Sequence, residues 1–292
     1  MSIKEEMKHK MRYDIVIVGA GPAGISAAIT GSLRNKNVLL IGDGGISRKV
    51  SKAHEIKNYP GLPDISGEGL RDALLSHVTG MGIRIEDKRV SAVYAMGEYF
   101  SIQAGEEMIE ASSVILATGI VTGKSIPGES ELLGRGVSYC ATCDASLYRG
   151  KTVIVIGYSP GEEKEAAFLS EICEKVTYIP VYKESAELPE TIRVIKEPVK
   201  EIRQGGDKRI VVTDDGEYEA DGVFVLREAI APDQLVPGIE TDGGSIPVNR
   251  RMETNLPGVF ACGDITGTPY QYIKAAGEGN VAALSAVNYL DG

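Results

Sequence analysis

One glycine loop constrains the fold more than any other feature. Gly19-Ala20-Gly21-Pro22-Ala23-Gly24 lies between a β-rich apolar run over residues 13–18 and a helical pattern over 25–33, with a second apolar run at 38–41. Strand, loop, helix and strand make a βαβ unit of about 30 residues, the unit that opens a dinucleotide-binding fold. In a G-x-G-x-x-G loop the glycines permit the tight turn, let backbone approach a pyrophosphate and allow close helix packing. The helix N-terminus then offers its N–H groups to phosphate. Gly19, Gly21, Pro22, Ala23 and Gly24 are therefore candidate cofactor contacts, with a purely structural glycine turn as the alternative. Asp43, just past the second strand, is either a ribose ligand or a turn residue.

A similar opening recurs near residue 152. An apolar strand over 152–156 leads into Gly157, a helical pattern over 161–173 and a strand over 176–181. This weak internal repeat predicts an α/β chain of two Rossmann-like, three-layer ββα domains. The length of 292 residues agrees, at about 150 residues per domain. The Gly-, Pro- and Ser-rich stretch over 123–136 reads as a domain boundary. The expected first domain is discontinuous, 1–122 with 245–292, and the second spans 123–244. Further helices are expected over 70–81 and 277–290, short strands between 84 and 113, and a buried strand at 114–117.

Composition excludes several functions. A formal net charge of −10 disfavours binding to nucleic acid or to anionic lipid, both of which need a cationic surface. No apolar run reaches the roughly 18–20 residues that span a bilayer. The N-terminal stretch is polar and lysine-bearing, unlike a secretory leader. The expected location is the cytoplasm, where thiols stay reduced.

The 4 cysteines are too few to staple a chain this long. Cys140-Ala141-Thr142-Cys143-Asp144 is a C-x-x-C beside βαβ units, a thiol–disulfide pattern. The rival, half of a zinc site, lacks two more ligands at suitable spacing, so no metal is expected. Cys173 and Cys262 read as buried packing residues. Asp144 is either a solvated charge or the general acid for a leaving thiolate. Two segments decide which dinucleotide belongs here. Val114-Ile115-Leu116-Ala117-Thr118-Gly119 resembles the second flavoprotein strand. Gly258-Val259-Phe260-Ala261-Cys262-Gly263-Asp264 resembles the flavoprotein signature whose Asp binds the ribityl chain. They point to FAD, with Thr118, Gly119, Gly263 and Asp264 as contacts.

Ser138-Tyr139-Cys140-Ala141-Thr142-Cys143-Asp144, these flavin motifs, Asn58-Tyr59-Pro60-Gly61 and Gln271 together resemble low-molecular-weight thioredoxin reductase, over nearly the whole chain after residue 12. The resemblance implies FAD, a homodimer, and thioredoxin or a similar small protein as partner. It implies that Cys140 attacks the partner's disulfide, Cys143 receives electrons beside the flavin, Asp144 protonates the leaving thiolate and Gln271 lies against the flavin ring. Asn58 is carried over as a cofactor contact.

The second βαβ unit departs from that family. Its loop reads Gly157-Tyr158-Ser159-Pro160-Gly161-Glu162, with Ser159 at the second glycine and Glu162 at the third small residue. A carboxylate at a helix N-terminus repels phosphate. The family's His and two Arg for the 2′-phosphate are replaced by Pro180-Val181-Tyr182-Lys183, and the later motif by Arg227-Glu228-Ala229-Ile230-Ala231-Pro232. NADPH is thereby disfavoured. The runs at 95–102, 234–238, 248–255 and 269–272 are similar to ferredoxin-dependent flavin thioredoxin reductases, whose flavin is reduced one electron at a time by ferredoxin. The alternatives are an NADPH- or deazaflavin-dependent reductase and a non-turnover flavin redox sensor. An acidic ferredoxin would need a local basic patch on an acidic chain, for which Arg48, Lys49, Lys52 and Lys57 are the densest group.

Overall fold

The computed structural model describes residues 12–42, 45–51, 53–120, 126–129, 131–183, 185–227 and 230–292. The chain opens with β1 (Tyr13–Val18), α1 (Pro22–Leu33), β2 (Val38–Ile41), a short α2 (Arg48–Ser51) and α3 (Gly67–Gly80). Strands β3 (Ile85–Glu86), β4 (Val90–Ala95), β5 (Phe100–Ala104) and β6 (Glu107–Leu116) follow. Next come β7 (Val137–Ser138), α4 (Ala141–Asp144), β8 (Thr152–Gly157), α5 (Glu163–Ser170), β9 (Lys175–Pro180) and β10 (Arg193–Val194). The chain continues through β11 (Val199–Gly205), β12 (Lys208–Thr213), β13 (Glu217–Ala220) and β14 (Gly222–Leu226). It closes with α6 (Pro232–Leu235), β15 (Val259–Ala261) and α7 (Tyr272–Asp291).

Two compact units result, Met1–Ile120 with Ala231–Gly292, and Val121–Ile230. The chain re-enters the first unit at Ala231, ahead of the expected residue 245, because α6 already packs on β4. In the first unit the sheet order is β3-β2-β1-β6-β5-β4, with β15 also on β6. The long β6 does two jobs. Its first half pairs antiparallel with β5, and its second half lies parallel between β1 and β15. The β-branched runs of β1 and β6 are buried on both faces, as a covered parallel sheet requires. Helices α1 and α7 pack closely through small residues, since a Cβ at Gly279 would lie 2.0 Å from the Ala23 carbonyl oxygen.

The second unit repeats the plan with a parallel sheet ordered β10-β9-β8-β14-β7 and an antiparallel ribbon β11-β12-β13. The α/β, two-Rossmann expectation therefore holds. Helix bounds moved where local chemistry overrode periodicity. Helix α3 starts earlier than residue 70 because the Ser66 hydroxyl accepts the Gly69 N–H at 3.0 Å and caps it. Helix α7 starts at Tyr272 rather than 277 and carries Gly277 and Gly279 inside it. In the second unit a 3₁₀ turn, Pro160–Glu162, takes the first expected helical positions and delays α5.

Asp221 ties the ribbon to this sheet. Its carboxylate accepts the Thr152 N–H at 2.9 Å and pairs with Lys208 at 2.5 Å. The Lys208 hydrogen bond, with the Thr152 N–H assisting, holds the Asp221 carboxyl below its ordinary value against some desolvation. A depressed folded-state pKa stabilises the fold above about pH 4 and is lost as pH falls through the folded value. Asp221→Asn is therefore expected to cost about 1 kcal/mol near neutrality. The gap from the parent should close on acidification toward pH 3, as read from urea unfolding midpoints across that range.

Candidate active site

The first unit builds a cradle around the 19–24 loop. Gly19 adopts φ +110°, and a Cβ there would sit 2.3 Å from the Ala117 carbonyl oxygen. That contact brings Thr118, whose backbone nitrogen would be 3.1 Å away, beside the loop. A Cβ on Gly24 would lie 1.8 Å from the Gly19 oxygen. Gly21 is different, since its nearest such neighbour is the Ser47 Cβ at 3.9 Å. So Gly19 and Gly24 close the turn, while Gly21 leaves backbone open to a ligand. Pro22 opens α1, no side chain caps its N-terminus, and its first turn holds no acid. These are the conditions under which a helix N-terminus takes a diphosphate.

Gly263 joins the same cradle, because a Cβ at its φ of +82° would meet the Ala23 Cβ at 2.9 Å. It begins a 3₁₀ turn, Gly263–Thr266, that presents Asp264. Sequence reasoning missed what braces this turn. Glu278 accepts the Gly263 N–H at 2.9 Å. Lys274 donates to the Gly263 and Gly267 carbonyls at 3.1 and 2.8 Å and pairs with Glu278 at 3.2 Å. Their i,i+4 spacing on α7 was the available signal. Asn58 donates to the Gln271 side chain at 2.6 Å, so two residues 213 positions apart meet. Tyr272, next to Gln271, has its hydroxyl pKa raised by burial and by the charge of Asp264. Gly119, at φ +74°, follows Thr118 after β6. Asp43 lies outside the described residues. The residues present fit a dinucleotide such as FAD.

The second unit holds the thiol site. Cys140 emerges beyond the carboxyl end of β7 and is buried and disulfide-bonded. Its N–H donates to the Ser138 hydroxyl at 3.1 Å, and that hydroxyl lies 3.2 Å from the Cys140 carbonyl oxygen. Cys143 sits on α4, and its side chain lies outside the described residues. Asp144 ends α4 half-buried, its N–H donating to the Cys140 carbonyl at 3.3 Å. Its charge, after burial, helps raise the hydroxyl pKa of Tyr148. Cys173 and Cys262 are free thiols in the two cores, and burial pushes both thiol pKa values up. Among the described residues no cluster of His, Cys, Asp or Glu could hold a metal.

The second βαβ loop is filled by its own side chains. A Cβ on Gly157 would lie 2.0 Å from the Tyr178 hydroxyl, which burial pushes up to about 12. Tyr182 hydrogen-bonds to Glu163 and, at 3.3 Å, to Tyr178. Glu162 is buried at the entry to α5, whose first turn adds Glu163 and Glu165. This is an acidic, tyrosine-packed edge, opposite in character to the open 19–24 loop. Of the proposed basic group, Lys57 is exposed and pairs with Glu55 at 3.0 Å. The side chains of Arg48 and Lys49, and Lys52, lie outside the described residues.

Two Rossmann units with a C-x-x-C on the second define a pyridine nucleotide-disulphide oxidoreductase fold, and that family's sequence profile matches residues 13–279. The chain belongs to this family, and within it to the low-molecular-weight thioredoxin reductases. Thioredoxin reductase of Bacillus subtilis (strain 168) is 32% identical over 306 residues, covering 98% of this chain and 97% of that protein. A ferredoxin-flavin thioredoxin reductase from Clostridium acetobutylicum is 47% identical and superposes with a TM-score of 0.91, covering 96% of this chain and 98% of that one. A thioredoxin reductase from Gloeobacter violaceus superposes with a TM-score of 0.81 at 29% identity, over 96% of this chain and 95% of that one. No helix among the described residues is long and apolar enough to cross a membrane.

Proposed function

We propose that the chain is a cytoplasmic, flavin-dependent thioredoxin-disulfide reductase that draws its electrons from reduced ferredoxin. The contrast between the two βαβ loops carries the reading. The 19–24 loop leaves Gly21 open before an uncapped helix, whereas at the 157–162 loop the Tyr178 hydroxyl covers Gly157 and an acidic helix entry follows. Such a pair of sites takes one dinucleotide rather than two. FAD held by the first loop supplies the relay between a one-electron donor and a two-electron dithiol.

The remaining chemistry belongs to the chain. Gly19, Gly21, Pro22, Ala23 and Gly24 would hold the diphosphate of FAD, Asp43 and Asp264 would hold its sugar and ribityl hydroxyls, and Thr118, Gly119 and Gly263 would shape the floor. Asn58 and Gln271, hydrogen-bonded to each other, would lie against the ring. The disulfide between Cys140 and Cys143 takes two electrons and two protons. The Cys140 thiolate then attacks the partner's disulfide, one partner sulfur leaves, and Asp144 protonates it. The Cys143 thiolate attacks the Cys140 sulfur of the mixed disulfide and displaces the partner's second sulfur, restoring the Cys140–Cys143 bond and releasing dithiol partner.

An insulin-disulfide assay with thioredoxin, supplied in turn with reduced ferredoxin and with NADPH, tests this. Turnover with ferredoxin at least a hundredfold above that with NADPH is the expected result. Equal or faster turnover with NADPH would overturn the choice of donor, and no turnover with any donor would favour a redox sensor.

A further inference from the structure

In the parallel sheet of the second unit, β7, β14 and β8 are neighbours whose carboxyl ends share one edge. The residue directly after each strand is Tyr139, Arg227 and Tyr158 respectively. Tyr139 and Arg227 both reach one carboxylate, that of Glu129, and Tyr158 reaches Arg227. Glu129 is 0% exposed and Arg227 5%. The Arg227 guanidinium donates to both Glu129 oxygens, at 2.7 and 2.8 Å. The Ile126 N–H donates to the same carboxylate at 2.8 Å and the Tyr139 hydroxyl at 3.2 Å. Arg227 also stacks over the Tyr158 ring at 4.2 Å and donates to its hydroxyl at 3.1 Å.

A bidentate buried pair is geometrically specific, and losing one member leaves an uncompensated charge in low dielectric. This pair sits one side chain away from the redox segment, because Tyr139 is covalently joined to Cys140. The reaction steps above make no use of it.

We propose that Glu129 and Arg227 are positioning residues that hold the Cys140 segment through Tyr139 and set its disulfide–dithiol equilibrium by keeping the local charge balanced. The inference rests on reading Cys140 as a redox thiol. Reduction creates thiol that ionises to thiolate, so a buried charge nearby biases the equilibrium. An unbalanced Glu129 opposes the reduced form, and an unbalanced Arg227 favours it. The edge where a nucleotide would lie in a βαβ fold is held instead by Tyr158 and Arg227, so the brace is permanent and needs no ligand.

The test equilibrates the full chain anaerobically in glutathione buffers and counts alkylated thiols by mass. In that exchange each protein disulfide is reduced by two glutathiones, which leave as one oxidised glutathione. Arg227→Gln is expected to move the equilibrium about tenfold toward disulfide, and Glu129→Gln about tenfold toward dithiol, each about 30 mV. The double variant should return to within threefold of the parent, and Arg227→Lys, which keeps the charge, should stay as close. Tyr139→Phe removes a single hydroxyl and carries the test if a charge variant does not fold; it should move about threefold toward disulfide. Shifts of the same sign in both charge variants, or an unmoved Tyr139→Phe, would overturn the inference. A disulfide that never exchanges with glutathione would instead remove the reading of Cys140 as a redox thiol, and this inference with it.

Discussion

Cys140→Ser is expected to lower thioredoxin-disulfide reduction by at least about a thousandfold, in line with loss of a covalent nucleophile. A serine hydroxyl is not ionised near neutral pH and forms no mixed disulfide, so the exchange has no first step. Flavin content and flavin reduction by ferredoxin should be unchanged, because the cradle is built within the other unit. Cys143→Ser should fail differently. Its Cys140 can still attack, but no second thiol resolves the product, so the partner stays bound. A stoichiometric adduct of the two proteins on nonreducing gels, dissolved by dithiothreitol, is the expected observation. If the Cys143 variant trapped nothing while the Cys140 variant did, the assigned order of attack would be reversed.

Gly24→Ala is the second substitution expected to act strongly. The added methyl carbon would stand 1.8 Å from the Gly19 carbonyl oxygen and 3.3 Å from the Ile17 side chain. The nearest obstacle is backbone in a loop already fixed against Ala117, so it has no flexible end to swing away. Relief requires α1 to separate from β1, which opens both the core and the diphosphate floor. Overpacking of this kind costs about 3 kcal/mol. For a unit of this size that is a fall of roughly 6–12 °C in thermal midpoint. The purified variant should also be colourless or nearly so. Gly21→Ala is the control, because only the Ser47 Cβ comes near, at 3.9 Å. It should keep the parent's thermal midpoint while weakening flavin retention. Equal stability losses in both variants would contradict the division of labour assigned to these glycines.

How much of this was legible in the sequence follows from the range of each interaction. The 19–24 loop could be placed because the signal is local, an apolar strand before it and a helix after it. The duplicated opening at residue 152 likewise gave the two-unit α/β plan. Helix starts were less legible where one residue decides them, as the Ser66 cap does for α3. The return point of the chain was missed because α6 is a single turn whose docking on β4 leaves no periodic pattern.

The substitutions at Ser159 and Glu162 were visible as departures from a glycine loop. What fills that loop was not. Tyr178 and Tyr182 lie on and beyond β9, and only the parallel pairing of β8 with β9 brings the Tyr178 hydroxyl over Gly157. Glu129 and Arg227 are 98 positions apart, and no periodic or local sequence pattern pairs them. Asn58 and Gln271 were both chosen by family resemblance, yet their mutual hydrogen bond across 213 positions is a property of the folded chain alone.

The most direct test of the electron route uses the protein's own colour. The purified protein, kept anaerobic, is mixed separately with chemically reduced ferredoxin, NADPH and NADH while the visible absorbance of its flavin is followed. Bleaching by ferredoxin within the time of turnover, with neither nucleotide effective, is the expected result. Bleaching by NADPH at that rate would contradict it, because a nucleotide would then be entering the loop that Tyr178 and Glu162 occupy.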